Sequence, residues 1–258
     1  MGAGRDFLSA TYFENMPYSS DQEKGYPQPH LVLEKDPHLP CIELPHPAEI
    51  VLPSLELRQA IEARRSLRKF DVSASLTLDD LSWLLWATQG VVRTDFVKNS
   101  SRTYRNVPSA GARHPFETWL IVRNVGGLLP GLYRYLALEH SLQAEDTERD
   151  RTPDFVELCK KQSWIGQAAL SFVWVAEDCR AVWRYRERAY RGIFQDSGHI
   201  CQNLYLAAMN IGCGVCGIGD FHDLPLVRFL KADENAYFPV YAAAVGRPLR
   251  PSEEEKGR

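Results

Sequence analysis

Apolar and small residues recur at Phe194, Ser197, Gly198, Cys201, Leu204, Tyr205, Ala208 and Ile211, a spacing that gathers side chains onto one helix face. It predicts a long amphipathic helix from about Trp183 to Ile211, ended by Gly212. Upstream, Pro53-Ser54 signals a helix start, and LELRQAIEARR then sets Leu55, Leu57 and Ile61 on one side. A second helix is predicted to open at Thr77, with Asp79 and Asp80 in its first turn, and to run to Gly90. Strand-type runs are TWLIVRNV (118–125), LYRYLA after Pro130-Gly131, a hairpin partner from about Leu142, AALSFVWVA (168–176) and FPVYAAAVG before Arg247. FVELCKKQ reads as a short helix, CGVCGIGDF as a strand-to-loop passage, and Asp223 as the cap of a helix through Leu230. Residues 91–107 read as polar and irregular. Helices and strands mix without clean βαβ units, so the pattern predicts an α+β fold.

Three parts are expected: an extended arm over 1–53, a folded domain over 54–250, and a charged tail over 251–258. Eight of the sixteen prolines precede residue 54, which excludes a long helix or a central strand there. Leu31, Val32, Leu33, Ile42, Leu44, Ile50 and Val51 favour an arm that docks on the domain or on a partner subunit.

Composition narrows the function classes. The chain has 258 residues, 45% hydrophobic and 24% charged, as one large globular domain has. A formal charge of −3 argues against a dedicated binder of nucleic acid or anionic membrane. The N-terminal stretch lacks an apolar targeting core, and no run of eighteen apolar residues occurs. The six cysteines then read as reduced thiols, and a cytoplasmic protein is the expectation.

Two segments carry candidate chemistry. Arg64-Arg65-Ser66-Leu67-Arg68-Lys69 puts four cations in six positions at a predicted helix end. Complementing the helix dipole accounts for one or two of them. Four repel unless an anion shares the site, so anion binding and plain surface charge stand level. Pro108-Ser109-Ala110-Gly111-Ala112-Arg113-His114-Pro115 brackets small residues with prolines; alone, it reads as a tight turn before a strand. Cys213-Gly-Val-Cys216 lacks the further ligands a structural zinc needs, and no metal site is expected. Phosphate-loop, nucleophile-elbow, zinc-protease and dinucleotide fingerprints are missing from the sequence. His199 reads as an ordinary helical hydrogen-bonder.

The order RRSLRKF, PSAGARHPFETWLIV, PGLYRY, WRYRERAYRGIFQDSGHICQNLYLAAMNIG, GIGDF and VGRP resembles the FMN-dependent nitroreductase superfamily. The longer segments are similar to its SagB-type branch, which dehydrogenates azoline rings in ribosomally made peptides. The resemblance covers about residues 50–250. It implies a mixed, largely antiparallel sheet flanked by helices, in an intertwined homodimer with the long helix central. Gly198, Ala207 and Ala208 would let that helix pack closely. It implies FMN, with NAD(P)H as a candidate electron donor, and two-electron transfer to or from a small organic substrate by ping-pong turnover.

The resemblance also assigns residues. Arg64, Arg65, Ser66 and Arg68 would hold the phosphate and the polar edge of the flavin. Pro108, Ser109, Ala110 and Gly111 would line its ring from the other subunit. Gly217, Ile218 and Gly219 would present backbone N–H groups, and Arg247 would add a phosphate contact. Azoline dehydrogenases carry a Lys-Tyr pair ahead of R-A-Y-R, with the lysine as base. This chain has Arg184-Tyr185 there. Arginine stays protonated and is a poor base, which leaves Tyr185 as the candidate catalytic group. Azoline oxidation of a peptide and a catalytically silent subunit of a complex are the alternatives.

Overall fold

Strands with apolar residues on both faces must lie between layers, and three runs here meet that condition. Phe116–Val122, Gly131–Leu136 and most of Leu170–Glu177 are buried along their length. The computed structural model of the chain describes residues 2–97 and 101–249. The predicted tail at 251–258 lies outside the described residues.

In chain order the helices are α1 (Ala3–Ala10), α2 (Leu57–Ala63), α3 (Leu78–Gln89), α4 (Thr152–Leu158), α5 (Cys179–Tyr185), α6 (Ala189–Asn210) and α7 (Asp223–Phe229). The strands are β1 (Cys41–Glu43), β2 (Val91–Asp95), β3 (Arg102–Arg105), β4 (Phe116–Val122), β5 (Gly131–Leu136), β6 (Ser141–Asp146), β7 (Leu170–Glu177), β8 (Gly214–Ile218) and β9 (Tyr237–Gly246). Seven of them form one sheet in the order β1-β6-β5-β4-β7-β9-β8. Its strand pairs are antiparallel, and Ser66 adds a parallel bridge to Val215 on the edge strand β8.

Alternation along the central strands sorts side chains to two cores. Phe116, Leu120, Phe172, Trp174, Ala243 and Val245 face α3 and α6, whose Leu81, Leu84, Leu85, Ile200, Leu204 and Ala208 fill that layer. Trp119, Ile121, Val173, Val175, Ala242 and Ala244 face α4 and α7 with Phe155, Leu226 and Leu230. The fold is therefore α+β with helices on both faces of a largely antiparallel sheet. α3 opens with a capping box, Thr77 Oγ1 accepting from Asp80 N–H while the Asp80 carboxylate accepts from Thr77 N–H.

Several expectations are corrected. The helix predicted from Trp183 to Ile211 is interrupted: Arg186 has φ +54°, so α5 ends and α6 begins afresh at Ala189. The apolar stripe from Phe194 to Ile211 begins beyond the break and belongs wholly to α6 and its C-cap, so the periodicity gave no ground for extending the helix back to Trp183. Within 91–107, where irregular backbone was expected, β2 and β3 pair antiparallel. α2 is shorter than predicted, and its Leu57 and Ile61 are 65% and 58% exposed in the single chain. Ala207 and Ala208 pack inside the same chain, whereas Gly198 is open.

The arm is docked on the domain at points from Leu8 to Pro53. Arg186 donates to the carbonyls of Met16 and Tyr18, Arg188 to Thr11 and Arg191 to Leu8. Tyr18, Phe13 and Tyr12 lie over the same three guanidinium groups. Further along, the Leu33 N–H donates to Glu117, and β1 extends the sheet.

Candidate functional site

The arginine-rich segment leaves α2 at Arg64 and runs beside β8. Leu67 N–H donates to the Val215 carbonyl at 2.8 Å. A Cβ on Gly214 would lie 2.4 Å from Leu67 Cδ2, so only glycine allows this approach. Arg64 lies 5.3 Å over the Tyr205 ring, Arg68 5.8 Å over Trp164, and Arg65 donates to the carbonyls of Glu62 and Arg64. None of the three forms an ion pair with a carboxylate among the described residues. Ser66 Oγ is 3.1 Å from the Tyr205 hydroxyl, which accepts the Gly217 N–H at 2.9 Å. Ser66, Tyr205 and Gly217 are thereby brought together, with Gly219 facing open space. The Ile218 side chain is in the core, so only its backbone faces outward. Arg247 is committed elsewhere: it pairs with Asp80 at 2.7 Å and donates to the Ile211 carbonyl.

A second cluster surrounds the small-residue loop. Gly111, Ala112 and His114 have φ of +59°, +53° and +42°, an accumulation of left-handed backbone. His114 N–H donates to Ser109 Oγ, and Ala110 N–H points at the Asp196 carboxylate of α6 at 3.3 Å. Burial raises the Asp196 pKa, partly offset by its bonds from Ser109 and Ala110. Tyr185 presses on the loop: a Cβ on Gly111 would lie 2.4 Å from its hydroxyl. Burial, with the nearby Arg105 and Arg113 charges, pushes the His114 pKa down to about 2, so this imidazole is neutral. A cavity of about 230 Å³ lies here, lined by Ser109, Ala110, Arg113, Tyr185, Asp196 and, from the arm, Phe13.

The two clusters are attached to one helix but not to one face of it. Asp196 and Tyr205 are nine residues apart, which on an α-helix is two and a half turns and about 14 Å. The sequence-predicted residues thus divide into an Arg64–Ser66–Gly217 group and a Pro108–Gly111–Tyr185 group, and no contact joins the groups within the described chain. Asp196, Tyr205 and Arg113 were missed from sequence. A buried Asp in an amphipathic helix was the available signal for the first.

The fold and these two clusters define the class. The sequence profile of the nitroreductase family matches residues 61–247, and the chain belongs to that family. It is 33% identical over 204 residues to the nitroreductase-family protein MJ1384 of Methanocaldococcus jannaschii, covering 78% of this chain and 97% of that one. It is 28% identical over 173 residues to the trifolitoxin-processing protein TfxB of Rhizobium leguminosarum bv. trifolii, covering 64% of this chain and 46% of that one. Among solved structures, a nitroreductase-family protein of Anabaena variabilis superposes with a TM-score of 0.66 at 26% identity, over 83% of this chain and 42% of that one. The chain thus spans under half the length of the last two. No helix among the described residues is long and apolar enough to cross a membrane.

Proposed function

We propose that the chain is an FMN-dependent oxidoreductase that works as a homodimer, moving two electrons between a donor such as NAD(P)H and a small organic substrate. One observation carries this reading: Arg64, Arg65 and Arg68 flank Ser66 along the segment beside β8, and none of them pairs with a carboxylate among the described residues. Such a set is short of an anion, and the dianionic phosphate of FMN fits it. When bound, FMN supplies the hydride chemistry.

The protein's own groups do the rest. Arg64, Arg65, Ser66 and Arg68 hold the phosphate. The Ser66–Tyr205–Gly217 linkage fixes the β8 loop so that the backbone of Gly217, Ile218 and Gly219 faces the ring. Arg247, held by Asp80, fixes the end of α6 and supports the phosphate side through position and charge. Pro108, Ser109, Ala110 and Gly111 line the ring from the second copy, which answers the separation of the two clusters around α6. Tyr185 positions substrate or donates a proton through its hydroxyl.

A second reading, azoline oxidation of a peptide, is favoured by the similarity to TfxB and by Tyr185 lying against the loop. Arg184 stands against it, since it offers no base.

The test is the visible spectrum of the purified protein, before and after incubation with excess FMN and desalting. Flavin bands near one per chain support the reading, as does their loss in Arg64→Ala/Arg68→Ala. A colourless wild-type protein that retains no FMN overturns it. Bleaching by NAD(P)H separates an enzyme from a silent flavin-binding subunit.

A further inference from the structure

We propose that the arm is part of the substrate site: Phe13 forms the outer wall of the cavity beside Tyr185 and restricts the substrate to a compact, single-ring aromatic. This rests on the oxidoreductase reading above. Among the described residues, Phe13 is the one arm residue that lines the cavity; the rest of the lining comes from the loop at 109–115, from α5 and α6, and from the turn between them. Its ring lies 4.8 Å from the guanidinium of Arg188, itself a lining residue.

The ring is anchored on both sides along the chain. Before it, the Thr11 carbonyl accepts from Arg188 at 3.2 Å, and the Thr11 hydroxyl accepts from Arg191 Nε at 2.5 Å. After it, the Met16 carbonyl accepts from Arg186 at 2.8 Å. Between these anchors Phe13–Asn15 is one tight turn, in which Met16 N–H donates to the Phe13 carbonyl and Asn15 N–H to the Tyr12 carbonyl. Thr11 and Met16 are buried, whereas Phe13 is 58% exposed. The Phe13 ring thus adds little to the core, and what it bounds is the cavity.

Arg188 and Arg191 also line the cavity, but their guanidinium groups carry the arm's carbonyls and the rings of Phe13 and Tyr12. The rim on the arm side is thereby aromatic, which suits a neutral ring. The cavity measures about 230 Å³. That lies above the roughly 150 Å³ that holds a benzene and below the roughly 300–1,000 Å³ of sites for drug-sized ligands. One ring with a small substituent fills it, and a second ring meets the arm.

The test is binding to the full chain as purified, by isothermal titration calorimetry without NAD(P)H, so that nothing turns over. The probes are two neutral nitroarenes, 4-nitrobenzyl alcohol with one ring and 4'-nitrobiphenyl-4-methanol with two. Wild type is expected to bind the one-ring probe at least tenfold tighter. Phe13→Ala is expected to cut that preference at least fivefold by admitting the longer probe. Tyr12→Ala, on the arm but outside the cavity lining, is expected to leave it unchanged. Hydrogen exchange over residues 11–18 reports whether the arm stays docked. An undocked arm also removes the wall, so a preference that survives in Phe13→Ala overturns the proposal in either case. An equal fall in Tyr12→Ala overturns the assignment to Phe13. A flavin-bearing wild type that binds both probes equally, or neither, overturns this proposal alone; a flavin-free wild type that keeps the preference overturns the oxidoreductase reading alone.

Discussion

The hydroxyl of Tyr185 lies so close to Gly111 that a single methyl group there would sit 2.4 Å from it. Gly111 also has φ +59°, which L side chains rarely adopt. Gly111→Ala therefore meets both a strained backbone and a clash, and we expect a loss of about 1–3 kcal/mol. Gly111→Ala/Tyr185→Phe removes the contacting oxygen and leaves only the backbone strain. Urea unfolding of the two variants and of Tyr185→Phe closes a double-mutant cycle. A coupling of zero would show that Tyr185 is not held against the loop.

The strands and the two-sided helical cover were legible because the runs at 118–125 and 168–176 are apolar on both faces, which leaves few places for a chain to go. The break at Arg186 was not legible. No glycine or proline marks it, and its guanidinium is anchored on arm carbonyls of Met16 and Tyr18, over 160 residues away in sequence. Docking of the arm was expected from its apolar residues, but its seat was not legible, because its partners there are arginines whose alternative is solvent. Of the candidate site, Ser66 and Gly217 were named from the resemblance, but Tyr205, which joins them, had read as one more apolar position in a stripe.

Removing that junction should loosen one cluster without unfolding the protein. Tyr205→Phe deletes the acceptor of the Gly217 N–H and the partner of Ser66 Oγ. The expected cost is about 0.5–1.5 kcal/mol of stability. Retention of FMN should fall several-fold, read from the dissociation constant by flavin fluorescence. Unchanged retention would mean that the Gly217–Gly219 backbone is placed by the sheet alone.

Beneath the second cluster lies a buried charge set. Glu117 Oε1 is 2.7 Å from Arg180 and accepts the Leu33 N–H at 2.6 Å. The Arg180 contact is a charge approach rather than an aligned hydrogen bond. Arg105, whose pKa burial lowers to about 10 against the pull of Glu117, leaves Nε and Nη2 without partners. Glu117→Gln would leave two buried guanidinium groups with one carboxylate, Glu177, between them. A loss of about 3–5 kcal/mol is expected, the range for removing one partner of a buried pair. Guanidinium chloride unfolding measures it, and a change below 1 kcal/mol would show that water or Glu177 suffices.

His114 gives the protein an acid-sensitive term whose sign follows from its depressed pKa. In the unfolded chain an imidazole takes a proton near pH 6.5, whereas in the fold it stays neutral until about 2. Between those values the unfolded state binds more protons than the native one, so stability rises with pH through that window. The contribution is complete above about pH 6.5 and is lost as pH falls, with a limiting slope of about 1.4 kcal/mol per unit. His114→Asn suits the position, because asparagine tolerates its φ of +42°. Urea midpoints for wild type and His114→Asn, taken at several pH values from 4.5 to 7.5, should converge towards the acid end. Parallel curves would mean that His114 is protonated in the native protein, and that Arg105 and Arg113 do not hold it neutral.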